Sequence, residues 1–83
     1  MRSADDFKNE ILEIKKEVER IRDKWDYGAN VIPIIEIYKA LSTYEERKAF
    51  QDALERMLCD KDQNIRSYAV TICLGFFVFR DAV

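Results

Sequence analysis

Residues 54–75 carry one apolar helical stripe into a short acidic turn and leave it as a second apolar stripe. Leu54, Met57 and Leu58 form the first, Asp60, Asp62 and Asn64 mark the turn, and Ile65-Arg66 opens the second, which continues through Ala69, Val70, Ile72, Leu74 and Gly75. Apolar residues three and four apart share one face of a helix. Two such faces separated by a few polar residues predict a helical hairpin with closely packed arms. This layout points to a module that works by presenting surface, and away from a catalytic pocket.

The remainder of the chain agrees with an all-α reading. Two glycines and one proline in 83 residues leave little turn chemistry, which favours a few long helices over many short strands. The length suits a single domain, residues 1–83, divided into a long amphipathic helix over 1–28 and a helical core over 29–83. A chain of this size buries roughly 60–65% of the surface its unfolded form exposes, so modest stability is expected. With 48% hydrophobic and 36% charged residues, the composition is that of neither a disordered nor a membrane protein.

Four helices are predicted, over 4–26, 31–41, 43–59 and 63–79. In the first, Ser3 is a natural N-cap, with Asp6 three residues on in a capping-box arrangement. Its apolar residues Phe7, Ile11, Ile14, Val18, Ile21 and Trp25 follow spacings of 4, 3, 4, 3 and 4. That seam reads first as packing within the domain and second as a surface for a partner helix, including a second copy. Gly28 fits a left-handed helix terminator, Asn30 an N-cap for the second helix, and Pro33 its first turn. Val31, Ile32, Ile34, Ile35, Ile37, Tyr38 and Leu41 make that helix apolar nearly all round, which predicts a central, buried position. Ser42 and Glu45 form a Ser-x-x-Glu capping box for the third helix. Its apolar face is Phe50, Ala53, Leu54, Met57 and Leu58, with Asp52 and Arg56 paired outside. Asp62 is the expected N-cap of the fourth helix, whose apolar face is Ile65, Tyr68, Ala69, Ile72, Cys73 and Phe76. Gly75, inside this helix, suits a close approach of another backbone.

Residues 54–75 resemble a HEAT repeat, the helical hairpin of α-solenoid proteins. The features that carry the resemblance are Leu54 and Leu58, Asp60 and Asp62 in the turn, Ile65-Arg66, Ala69-Val70 and Leu74-Gly75. The likeness covers about residues 42–80, with no second copy at the expected spacing. It implies an antiparallel hairpin in which Asp60 or Asp62 and Arg66 bond to the turn and to neighbouring repeats. Solenoid units need about three repeats to bury a continuous core. Either the first helix replaces a neighbour, or another chain does, or the segment belongs to a longer array.

Chemistry finds little support in the residues. Asp60, Asp62 and Asn64 follow the opening of a calcium loop, but Ile65 stands where that loop needs glycine and Thr71 where it needs glutamate. A capped turn is the better reading. The chain has no histidine, which removes the usual general base and the commonest metal ligand. Cys59 and Cys73 are too few for a zinc site. In a hairpin they would stand roughly 10 Å out of register at ~1.5 Å per residue, beyond the reach of a disulfide. Free, mostly buried thiols suit a reducing cytoplasm. The opening Met1-Arg-Ser-Ala-Asp-Asp lacks the apolar core of a secretion signal, and the longest apolar run, Val70 to Phe79, is half a membrane span. No enzyme activity, cofactor or metal is expected.

The net charge of −2, from 16 acidic and 14 basic residues, gives no strong attraction for phosphates or anionic lipid. The expected function is a non-catalytic protein–protein interaction or scaffold module, with self-association among its forms. A small immunity or inhibitor protein that occludes a toxin or enzyme is the alternative, and a nucleic-acid-binding helical module a more distant one. Aromatic residues dominate interfaces where they are exposed. Trp25, Tyr27, Phe76, Phe77 and Phe79 are therefore the candidate interaction residues, with Asp60, Asp62, Arg66 and Gly75 structural.

Overall fold

The computed structural model describes residues 1–21 and 27–79, with the side chains of Tyr27, Phe77, Val78 and Phe79 left outside that description. Among these residues the protein is all-α, with four helices: α1 (Ala4–Ile21), α2 (Tyr27–Lys39), α3 (Tyr44–Leu58) and α4 (Gln63–Phe79).

Helix α1 starts where its cap dictates. The Asp6 amide donates to Ser3 Oγ at 3.2 Å and the Ser3 amide to Asp6 Oδ2 at 2.8 Å, closing a reciprocal capping box. The same Ser3 amide, first among its causes, holds the Asp6 carboxyl below its ordinary range. Phe7, Ile11 and Val18 are buried, so this part of the seam faces inward, chiefly onto α3. Ile21 is 59% exposed. Residues 22–26, including Trp25, which the spacing assigns to this helix, lie outside the described residues.

Helix α2 begins four residues before the expected Val31. Gly28, Ala29 and Asn30 are helical, and no described glycine has a positive φ, so Gly28 is not a left-handed terminator. Asn30 is no N-cap either. It is buried in the first turn, where its carbonyl accepts the Tyr68 hydroxyl of α4 at 2.9 Å. This buried bond ties the early turn of α2 to α4, a tertiary contact that local cap signals do not encode. Burial holds the Tyr68 hydroxyl well above the ordinary tyrosine range, so it stays a donor. Pro33 consequently falls inside the helix and not in its first turn. Val31, Ile34 and Ile35 are fully buried, while Glu36 and Lys39 are exposed, so α2 is buried along one side and is one of four helices around the core, not a central one.

Helix α3 is capped one residue later than expected. Thr43, extended at φ −108° and ψ 151°, accepts the Glu46 amide at 3.2 Å, whereas Ser42 lies in the link. The link must first bury Leu41, whose carbonyl accepts Arg47 Nε at 3.2 Å, and only then turn into the helix. Phe50, Ala53, Leu54 and Met57 are buried, but Leu58 is exposed because helical geometry sets it at the margin of that face. The expected Asp52–Arg56 pair does not form. Asp52 accepts from Lys48 at 3.3 Å, and Arg56 reaches across to Asp5 on α1 at 2.7 Å. Packing of α1 on α3 brings Asp5 within range of the guanidinium.

Helices α1 and α4 each rest on both α2 and α3, so the four surround one core. At its centre, Phe50 of α3 meets Phe7 of α1 at 5.5 Å, Tyr38 of α2 at 5.2 Å and Phe76 of α4 at 6.2 Å between ring centroids. Tyr38 and Phe76 also meet edge-on at 5.4 Å and 88°. Tilted and edge-to-face arrangements suit the ring quadrupoles. Ile11, Ile34, Met57 and Ile72 fill the space around them, each fully buried.

Phe50→Ala should cost about 3–5 kcal/mol in urea unfolding, the range for removing a buried aromatic ring. Thr43→Ala should lose about 1 kcal/mol, while Ser42→Ala should change stability by a few tenths at most. Equal losses from the two hydroxyl deletions would contradict the cap assignment.

Candidate interaction face

Five side-chain hydrogen bonds hold the connection between α3 and α4. Asp60 Oδ1 accepts the Asp62 amide and Asp62 Oδ1 accepts the Asn64 amide, both at 2.8 Å. Arg66 Nη1 donates back to the Asp60 carbonyl at 2.6 Å and to the Lys61 carbonyl at 2.9 Å. Lys8 of α1 then donates to Asp60 Oδ2 at 3.0 Å. The Asp62 amide, followed by Lys8 and the charge of Arg66, holds the Asp60 carboxyl below its usual range. Both Asp60 carboxylate oxygens and one of Asp62, among those that suggested a calcium loop, are thus engaged by amides of their own turn and by one lysine. Among the described residues no group of His, Cys, Asp or Glu is placed to hold a metal ion. Lys8 has no sequence signal as a member of this cluster, because it lies 52 residues from Asp60.

The clasped turn sets the direction of α4. From Ser67 to Phe79 that helix has no charged residue. Its inner side buries Tyr68, Ala69 and Ile72, and Gly75 is buried with them. Its outer side presents Val70 at 48% and Leu74 at 56% exposure. Four residues apart, these two stand one above the other on the same face. Ser67 is exposed beside them, and the Thr71 hydroxyl donates to the Ser67 carbonyl at 3.0 Å. The α4 face therefore offers aliphatic carbon with no formal charge. Both count in the second apolar stripe of the sequence and are missed there as surface residues; the signal that separates them is the Ile65-Ala69-Ile72-Phe76 seam, which leaves Val70 and Leu74 on the opposite side.

Beside this stripe, α2, α3 and α4 leave an open cleft of about 260 Å³ lined by Tyr38, Phe50, Gln51, Leu54, Cys73 and Phe76. Gln51 Nε2 donates to the Tyr38 hydroxyl at 3.3 Å on this cleft. Burial pushes the Cys73 thiol up, which keeps it neutral. Phe76, a candidate interaction residue, is half-buried against Phe50 and Tyr38, so most of its ring serves the core. Of the five aromatic candidates, Trp25 and the side chains of Tyr27, Phe77 and Phe79 lie outside the described residues. The thiols of Cys59 and Cys73 are both free. Cys59 is exposed, contrary to the expectation of buried thiols, because as the C-cap of α3 it lies past the end of the buried face.

Among the described residues no helix is long and apolar enough to cross a membrane. Comparison of the chain with protein-family models, curated proteins and solved structures gives no match.

The depressed Asp60 carboxyl has a signed consequence for stability. A group with a lower pKa folded than unfolded stabilises the fold above its unfolded value, near 4, and that contribution is lost as pH falls through the folded value. Urea midpoints between pH 6 and 2 should therefore fall less steeply for Asp60→Asn than for the unaltered protein below about pH 4. Parallel curves would show that the Lys8–Asp60–Asp62 cluster carries no proton linkage.

Proposed function

We propose that this protein is a non-catalytic interaction or scaffold module of HEAT-like type that binds another protein through the outer face of α4. The observation that carries the reading is the charge-free stretch from Ser67 to Phe79 with Val70 and Leu74 exposed on it. An amphipathic surface helix ordinarily puts charged or polar side chains opposite its buried stripe. Helix α1 follows that rule with Glu13, Lys16, Glu17 and Arg20 outside, and α4 departs from it.

The HEAT-like part of the proposal draws on the α3–α4 pair. These helices pack on one another across residues 59–62, and Asp60, Asp62 and Arg66 bond within that turn. In a solenoid, each hairpin covers its neighbour on both sides. Here α1 and α2 take one side of the pair, and the outer face of α4 is the side left for a partner. Self-association through that face is one form the binding can take.

Val70→Lys together with Leu74→Lys tests the proposal. Both residues are exposed, so helicity and melting temperature should change little. Affinity for a bound protein, or for a second copy in light scattering, should fall roughly 30-fold, the loss of about 2 kcal/mol expected of a hot spot. Unaltered binding in the double variant, or a strict monomer with no retained partner before substitution, would overturn the reading. If the retained partner is a toxin or an enzyme inhibited on binding, the inhibitor form of the same reading takes precedence.

A further inference from the structure

We draw no further inference here: the strongest candidate, the apolar cleft between α2, α3 and α4 with the Val70–Leu74 stripe beside it, belongs to the face already described, and nothing in the structure shows what covers it.

Discussion

The ring of Phe50 touches one aromatic ring from every other helix, and the positions of all four helices follow from that convergence. Phe7 sets how closely α1 approaches α3, Tyr38 seats the end of α2, and Phe76 fixes the inner side of α4. A domain of this length has few residues that are buried on all sides, so large side chains must fill much of the core volume. Tilted and edge-on contacts let the rings interlock without stacking in parallel, which gives each pair a preferred geometry as well as buried area. Aliphatic residues alone would supply area with less angular preference.

Polar contacts around this core act on register more than on net stability. Lys8–Asp60, Arg56–Asp5 and Arg2–Glu10 lie at or near the surface, where ion pairs are worth about 0–1 kcal/mol each. Two of them nevertheless join α1 to the end of α3 and the link after it. Arg56 and Asp60 sit in the last turn of α3 and the link beyond it, and both are paired with the first two turns of α1. Sliding α1 along α3 by one turn would separate both pairs and move Phe7 away from Phe50. The buried Tyr68–Asn30 bond has the same effect between α4 and α2, with a larger penalty for being broken because neither group can turn to water.

This arrangement leaves α4 with an unusual division of labour. Its inner side supplies Tyr68, Ala69, Ile72 and part of Phe76 to the core, and its outer side carries Val70 and Leu74 where other helices of the protein carry charge. In the clasped turn before it, Arg66, four residues before Val70, is folded back onto two carbonyls of the turn. A face of this kind gains from contact with other carbon and has no charge to desolvate in making it. That is the physical content of the interaction-module reading.

How much of this was legible before the fold was known depended on the range of each interaction. The capping box of Ser3 and Asp6, the Asp62 cap and the apolar periodicities of α1, α3 and α4 are local, and local spacing alone specifies four helices in an all-α chain. The candidate site was legible only in its turn: Asp60, Asp62 and Arg66 could be assigned there, whereas Val70 and Leu74 count as part of the second apolar stripe and emerge as exposed only in the fold. What failed was decided at a distance. Asn30 looks like a cap until Tyr68, 38 residues later, draws it into the core. Arg56 looks like the partner of Asp52 until α1 brings Asp5 to it. Sequence by itself determined which segments are helical and which side of most helices is apolar, because both are set within one or two turns. Only the tertiary structure decided which apolar side chains find partners inside the chain and which remain on the surface, because that choice is made between residues far apart in sequence competing for one small core.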